Sequence, residues 1–233
     1  MQIDGATAFV TGANRGFGRS LAAELLARGA TVYAGARRPE TVDLPGAIPV
    51  RIDVTDPESV AAAAATARGV SLLVNNAGSG TGAALLDGPM DLIRLEMETH
   101  YFGTLAVTRA FAPQLAAAPG GGAVLNVLSV LSWINRPGYA AYGAAKAAAW
   151  SLTNGLRTEL APQGTQVTAL HVAFMDTDMV RHVDAPKNDP DVVARLALDG
   201  VAAGLDEVLA DDITRRVQAG LAGGVAALYP RAA

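Results

Sequence analysis

The sequence predicts an α/β fold, a doubly wound parallel sheet of six to seven strands with helices on both faces. Short β-branched or apolar runs alternate with longer segments of helical period, which is typical of parallel strands joined by right-handed crossovers. Hydrophobic residues make up 51% of the 233 residues and charged residues only 17%, so the chain can form a large core. No linker or internal repeat divides it, which predicts one domain over residues 1–233.

The individual elements are predicted in chain order from local pattern. Strands are predicted at residues 6–11, 31–36, 48–53, 72–75, 123–128 and 166–172, with a short seventh at 207–209. Helices are predicted at residues 18–28, 57–67, 90–115, 140–160, 191–203 and 211–222. Gly29 ends the first helix and Asp56 begins the second, as these residue types favour. The polar stretch 176–190 is predicted to be a mobile loop, within a substrate region at about 174–203.

Composition excludes several classes of function. The net charge is −4 without a Lys/Arg block, which argues against a nucleic-acid partner. Cysteine is absent, and the three histidines are scattered, so no metal site is expected. The N-terminus lacks a leader pattern, and no apolar stretch reaches the ~18 residues that a bilayer span needs. We therefore expect a cytoplasmic protein that does not bind membranes.

A glycine-rich turn follows the first predicted strand and opens the first helix. Residues 11–18 read Thr-Gly-Ala-Asn-Arg-Gly-Phe-Gly. Small residues let the backbone approach a pyrophosphate, and the N–H groups and dipole of the helix meet its negative charge. This predicts a Rossmann-type dinucleotide site that includes Thr11, Gly12, Asn14, Arg15, Gly16, Phe17 and Gly18. The alternative is a turn without a ligand, since glycines punctuate many turns.

The end of the second strand indicates which dinucleotide is preferred. NAD sites of this type carry an acidic residue about 20 residues after the glycines, where it binds the ribose 2′-hydroxyl. This chain has Arg37 and Arg38 there, and Arg15 lies in the glycine turn. A guanidinium suits a 2′-phosphate, so we predict NADP(H) as the cofactor. The alternative is that these arginines are solvated surface charges.

A tyrosine and a lysine share one face of the helix predicted at 140–160. Tyr142 and Lys146 are separated by one helical turn. A phenol with a pKa near 10 needs a nearby cation to exchange protons at neutral pH, and Lys146 is suitably placed. Ser129 ends the fifth strand, where its hydroxyl can donate to a developing alkoxide. Each feature alone is common, and a Tyr and Lys one turn apart are more often a surface pair, but the combination is much less likely by chance.

Together these motifs resemble the short-chain dehydrogenase/reductase family from Thr7 to about Met179. The resemblance rests on Thr11-Gly12-x-x-x-Gly16-x-Gly18, Asp53-Val54, Asn75-Asn76-Ala77-Gly78, Ser129, Tyr142-x-x-x-Lys146 and Thr177. It implies that Asp53 and Val54 border the adenine, that Asn76, Ala77 and Gly78 lie beside the cofactor, and that Thr177 helps hold the carboxamide. It also implies hydride transfer between nicotinamide and a carbonyl carbon, with Tyr142 exchanging the proton. Ser129 would orient the oxygen, and Lys146 would lower the pKa of Tyr142 and bind ribose.

Two positions depart from the family pattern. His100 stands where the family has an Asn that holds a helix irregularity and a proton-relaying water. An imidazole can donate, accept and titrate near neutrality, so we expect retained activity with an altered pH dependence. The alternative is a helix histidine satisfied by a neighbour. After the sixth strand, Val172-Ala173 replaces the usual Pro-Gly, which puts the backbone course beside the nicotinamide in question.

The substrate pocket is predicted to be mostly apolar. Its candidate residues follow the fourth, fifth and sixth strands: Ser79, Leu131, Trp133, Tyr139, Phe174 and Met175. This set favours an apolar or aromatic ketone or secondary alcohol, although Trp133 and Phe174 are equally consistent with ordinary core residues. The family resemblance also implies a homodimer or homotetramer. A redox-inactive NADP(H)-binding regulator and an isomerase or dehydratase remain alternatives.

Overall fold

The computed structural model describes residues 1–229 and contains one seven-stranded sheet in the order β3-β2-β1-β4-β5-β6-β7. Every strand pairs in parallel with its neighbours. The strands are β1 Thr7–Thr11, β2 Thr31–Ala36, β3 Ile48–Arg51, β4 Leu72–Asn75, β5 Ala123–Val127, β6 Gln166–His171 and β7 Glu207–Leu209. The predicted doubly wound sheet is confirmed, including its short seventh strand.

The helices pack on both faces of this sheet. They are α1 Gly16–Ala27, α2 Pro57–Thr66, α3 Met90–Met97, α4 Thr104–Ala117, α5 Ala140–Leu160, α6 Pro190–Ala202, α7 Asp212–Gly220 and α8 Gly224–Leu228. Apolar residues of α1 and α6 form one core cluster with Ala8 and Val10 of β1. Residues of α2, α4 and α5 form a second cluster around Phe9, which points to the opposite face. Short α8 was not predicted from the sequence.

The long helix predicted at 90–115 is interrupted. A π-helical turn at Glu98–Gly103 separates α3 from α4, and it contains His100. Gly103 packs against Val54 after β3; a Cβ at Gly103 would lie 3.0 Å from the Val54 carbonyl oxygen. The extra residue of a π-turn rotates the side chains that follow it. Thr99, His100 and Gly103 are all buried here.

The strand order reverses between β1 and β4, and the loops after β1, β4, β5 and β6 meet at the carboxyl edge of the sheet. Ligands of open parallel sheets bind at such a switch point. The stretch predicted as a loop at 176–190 holds a short 3₁₀ turn, Asp178–Val180, and a bridge between Met175 and Asn188. In residues 1–229, no helix combines the length and apolar character needed to cross a membrane.

Candidate active site

The glycine turn has the backbone conformation that only glycine adopts freely. Gly12 and Gly16 have φ values of +67° and +52°. A Cβ at Gly18 would collide with the carbonyl of Gly12 and the side-chain amide of Asn76. The N-terminus of α1 receives no side-chain cap and carries no acidic residue in its first turn. The turn is therefore a narrow, electropositive cradle that fits a pyrophosphate.

Thr11 ties this turn to the Asn-Asn-Ala-Gly segment after β4. Its hydroxyl accepts hydrogen bonds from the backbone N–H groups of Asn76 and Ala77, at 2.9 and 3.0 Å. It donates in turn to the Val74 carbonyl at 3.3 Å. The Asn76 amide donates to the Thr11 carbonyl at 2.9 Å. The two predicted cofactor-binding segments are thus held together across β1 and β4.

Of the other predicted cofactor residues, Asn14, Thr177 and Gly78 lie beside this cradle, whereas the Phe17 side chain lies in the core. Asn14 donates to the hydroxyl of Thr41 at 3.0 Å, and the Thr177 methyl carbon lies 3.5 Å from where a Cβ of Gly16 would stand. The Phe17 ring is buried in the core beneath α1, so only its backbone faces the turn side. His100 Cε1 lies 2.8 Å from the Cβ position of Gly78, which explains why glycine occupies that site.

The three predicted arginines are on the surface. Arg37 and Arg38 are exposed directly after β2. Arg15 is also exposed, and its guanidinium pairs with Asp178 at 3.3 Å. Asp53 accepts hydrogen bonds from the backbone and hydroxyl of Thr55. Burial alone raises the pKa of Asp53, but these hydrogen bonds and the charges of Arg37 and Arg51 lower it overall.

Ser129, Tyr142 and Lys146 converge beside the loop after β5. Ser129 begins a 3₁₀ turn, Val130–Ser132, and its hydroxyl accepts the Leu131 N–H at 3.1 Å. Lys146 is buried; its ammonium donates to the Val127 carbonyl at 2.7 Å and lies 5.6 Å from the Tyr142 ring centroid. The three side chains therefore share the carboxyl edge of β5 with α5.

The protonation states differ from the sequence expectation that Lys146 lowers the pKa of Tyr142. Burial raises the pKa of Tyr142, the Ser129 hydroxyl opposes this rise, and the charge of Glu96 adds to it. Burial also lowers the pKa of Lys146 to about 8, while Glu96 opposes that shift. The phenol is therefore protonated at neutral pH, because desolvation and the charge of Glu96 outweigh the hydrogen bond with Ser129.

His100 belongs to a buried network that the sequence analysis did not include. Its Nε2 lies 3.0 Å from the Ser79 carbonyl oxygen and 3.2 Å from Oε2 of Glu96. Glu96 accepts further hydrogen bonds from the Ser79 hydroxyl at 2.7 Å and the Thr81 N–H at 2.5 Å. The rings of His100 and Tyr142 meet edge to face, with centroids 5.1 Å apart. The network thus joins α3 and the loop after β4 to the phenol.

A second buried histidine lies behind Ser129. Nδ1 of His171, at the end of β6, is 3.3 Å from the Ser129 carbonyl oxygen. Nε2 is 3.6 Å from a carboxylate oxygen of Glu207 in β7. The ring stacks on Trp133, with centroids 3.9 Å apart. Burial lowers the pKa of His171 to about 4, so this imidazole is neutral at pH 7.

The predicted substrate residues divide into two groups. Tyr139 and Phe174 face each other with ring centroids 6.0 Å apart, whereas Met175 belongs to the core cluster of α1, α6 and β1. Trp133 instead packs on His171 and Trp150, as an interior side chain would. Leu131 is also buried.

Ala173, which stands at the family glycine position, is held by an acidic side chain. Its N–H donates to a carboxylate oxygen of Asp211 at 2.8 Å, and the Asn188 amide donates to the same oxygen at 2.9 Å. This anchor fixes the backbone course after β6, which the sequence left in question.

Comparison with known proteins identifies the family. The short chain dehydrogenase family matches residues 6–188. This chain belongs to that family. Among sequence relatives of this short-chain dehydrogenase, the NADPH-dependent 1-acyldihydroxyacetone phosphate reductase of Schizosaccharomyces pombe is 33% identical over 72% of this chain; the match spans 59% of that protein's length. Carbonyl reductase [NADPH] 2 of Sus scrofa is 31% identical, with 84% of this chain and 81% of that one covered.

Solved structures share the fold of this short-chain dehydrogenase across nearly its whole length. A short chain dehydrogenase of Burkholderia cenocepacia in complex with NADP is 42% identical, covers 98% of both chains and has a TM-score of 0.93. A family member from Burkholderia phymatum in complex with NAD is 25% identical, with a TM-score of 0.87 over 100% of this chain and 99% of that one. The family therefore uses both nicotinamide dinucleotides.

Proposed function

We propose that this short-chain dehydrogenase is an NADPH-dependent carbonyl reductase, or alcohol dehydrogenase in the reverse direction. The observation that carries the proposal is the convergence of Ser129, Tyr142 and Lys146 beside the glycine cradle at the switch point. The carbonyl reductase relative of Sus scrofa supports the same reaction class. Tyr142 is protonated at neutral pH, so its phenol carries the proton that carbonyl reduction requires.

In the proposed mechanism, each side chain acts on the carbonyl oxygen or on the cofactor. Bound NADPH supplies a hydride to the carbonyl carbon. Tyr142 donates its phenolic proton to the oxygen, and Ser129 donates a hydrogen bond that stabilises the developing negative charge. Lys146 contributes a buried positive charge beside the phenol, which favours the phenolate left after proton transfer. We propose that it also binds the nicotinamide ribose.

The choice of NADP(H) rests on the basic residues near the cradle. Arg37 and Arg38 are exposed after β2, and Arg15 stands at the start of α1. A guanidinium binds a 2′-phosphate better than a 2′-hydroxyl. Replacing Arg37 and Arg38 together by alanine is expected to weaken NADPH binding about tenfold or more and leave NADH binding unchanged. Equal losses for both cofactors, measured by calorimetry, would contradict this assignment.

The substrate class follows from the side chains beside the site. Tyr139 and Phe174 are aromatic and face each other there. We therefore propose an apolar or aromatic ketone, or the corresponding secondary alcohol, as the substrate. We also propose a homodimer or homotetramer, which size-exclusion chromatography with light scattering tests.

The function is tested by following NADPH consumption with aromatic, aliphatic and polycyclic ketones. We expect turnover by the wild type and a loss of at least about a thousandfold in Tyr142→Phe, which removes only the acidic hydroxyl. NADPH binding without turnover on any ketone would favour the redox-inactive regulator. Product formation without net NADPH consumption would favour an isomerase or dehydratase.

A further inference from the structure

The proposed reaction assigns no role to Glu96, a glutamate of α3. It is fully buried, and no other carboxylate of residues 1–229 is buried. Within the same residues 1–229, Lys146 is also the one cationic side chain that is buried. A buried charge without compensation is strongly unfavourable, so two isolated charges of opposite sign in one region require a common explanation.

The two charges stand at the ends of one row of side chains. Glu96 contacts His100 at 3.2 Å, and the His100 ring packs against Tyr142. The Lys146 ammonium lies 5.6 Å from the centroid of the Tyr142 ring. When His100 and Tyr142 are neutral, the row of four carries one negative and one positive charge.

The surroundings fix the Glu96 carboxylate in place. It accepts hydrogen bonds from Ser79 and Thr81, and His100 Nε2 faces it. Nε2 lies 3.0 Å from the Ser79 carbonyl oxygen and 3.2 Å from the Glu96 carboxylate, which can only accept, and 3.3 Å from the Ser79 N–H, which can only donate. The two nearer acceptors place the proton of neutral His100 on Nε2. Glu96 therefore sets the tautomer and orientation of the ring that touches Tyr142.

We infer that Glu96 is a positioning residue for the proposed reaction: its carboxylate balances the charge of Lys146 and fixes His100 against the loop at 79–81. This inference rests on the proposed function for its catalytic meaning. The titratable groups of this row are His100, one helical turn after Glu96, and Tyr142 and Lys146 on α5. The charge of Glu96 raises the pKa of both α5 groups.

The test measures the pKa of Lys146 without turnover. Lys146 and Lys187 are the only lysines of the chain, so protein labelled with ¹³C at lysine Cε gives two signals, and Lys187→Arg assigns them. We expect Glu96→Gln to lower the pKa of Lys146 by roughly half to one unit. Glu98→Gln is the matched control, because it removes an exposed carboxylate two residues away and should change nothing.

A purely structural Glu96 would destabilise the protein without moving this titration, and an unchanged pKa of Lys146 in folded Glu96→Gln overturns the inference. If Glu96→Gln does not fold, Lys146→Met tests the pair from the other side. Without the charge of Lys146, the pKa of Glu96 in the folded state should be higher. As the pH is lowered from 4.5 to 2, the urea midpoint of Lys146→Met should therefore fall less than the urea midpoint of the wild type. An equal fall overturns the inference.

These results are independent of catalysis, so failure of the charge pair is distinguishable from failure of the proposed function. If the wild type reduces a ketone, a second readout is available. The loss of reductase activity at alkaline pH should then move to lower pH in Glu96→Gln and stay in place in Glu98→Gln.

Discussion

Two buried histidines flank the candidate catalytic side chains, and each has a glutamate beside it. On the α3 side, Glu96 is fully buried and lies 3.2 Å from His100. On the β6–β7 side, the Glu207 side chain is 30% exposed and lies 3.6 Å from His171, too far for a hydrogen bond. Glu96 and His100 are both buried within a hydrogen-bonded network, whereas the Glu207 carboxylate remains in contact with water.

The difference shows how burial of the acid decides the role of the histidine. A buried carboxylate must be satisfied by neighbours, so Glu96 binds Ser79, Thr81 and His100 together. A partly solvated carboxylate has no such need. His171 is therefore fixed through Nδ1, which must donate to the Ser129 carbonyl, and through its stack on Trp133.

Removing each acid should give the largest contrast between the two regions. Glu96→Ala leaves the half-buried Thr81 N–H and Ser79 hydroxyl without their acceptor and leaves a cavity where the buried carboxylate was, so we expect a loss of about 3 kcal/mol in the free energy of unfolding. Glu207→Ala should cost less than about 1 kcal/mol, since it breaks no buried contact of this kind. Urea unfolding at pH 7 measures both. Similar losses in the two variants would remove the distinction between the regions.

Acid stability should separate His171 from Glu96 by pH window. Burial lowers the pKa of His171 to about 4, below its ordinary 6.5, so the folded state binds fewer protons and stability falls as pH drops from 6.5 to 4. Burial would raise the pKa of Glu96, but hydrogen bonds from His100, Thr81 and Ser79 lower it to about 2. Its contribution is present above pH 4.5 and is lost as pH falls towards 2.

The same urea titrations, repeated from pH 7 to 2.5, check these windows. His171→Gln should lose about 3 kcal/mol less than the wild type between pH 6.5 and 4. Glu96→Gln should differ from the wild type below pH 4.5, where the wild type loses the contribution of the Glu96 carboxylate. If the free energy of unfolding of His171→Gln falls between pH 6.5 and 4 as much as that of the wild type, His171 is not buried in its neutral form.

Catalysis should depend on His100 more than on His171. His100 touches the Tyr142 ring, so His100→Asn is expected to change the rate of ketone reduction about tenfold and to alter its pH profile. His171 reaches the chemistry only through the backbone of Ser129, and His171→Asn should change the rate about threefold without altering the profile. If His100→Asn leaves both rate and profile unchanged, a proton-relay role for His100 is wrong.

The smallest expected effect is optical. The only two tryptophans are Trp133 and Trp150; their rings lie 6.3 Å apart, and Trp133 stacks on His171. Because a charged imidazole quenches indole emission more than a neutral one, wild-type fluorescence should fall as pH approaches 4. His171→Gln should abolish this fall, and His100→Asn should keep it. A pH response that follows His100 instead would contradict the assignment.

Much of the fold was predictable because its signals are local. The strand–turn–helix at residues 7–27 and the one-turn spacing of Tyr142 and Lys146 depend on neighbouring residues alone. The helix breakpoint was not predictable, because no proline marks the π-turn at Glu98–Gly103 and the chain stays helical on both sides of it. The family resemblance indicated only that this position carries an irregularity.

The buried acid was missed for a different reason. Glu96 and His100 are spaced like an ordinary surface pair on a helix, and only the packing of α3 on α5 and the loop at 79–81 buries them. The raised pKa of Tyr142 was missed because spacing reveals a nearby cation but not the loss of solvent. His171 gave no signal either, since its partners come from Ser129 and β7, far along the chain.

The most direct test of the account is the fate of the hydride. NADPH deuterated at C4 of the nicotinamide is mixed with the best ketone from the panel, and the alcohol is analysed by mass spectrometry. We predict one deuterium on the carbinol carbon per NADPH oxidised by the wild type, and no labelled alcohol with Tyr142→Phe although NADPH still binds. Unlabelled product, or labelled product formed equally well without the phenol, would contradict the assignment of Tyr142 as the proton donor in an NADPH-dependent reduction.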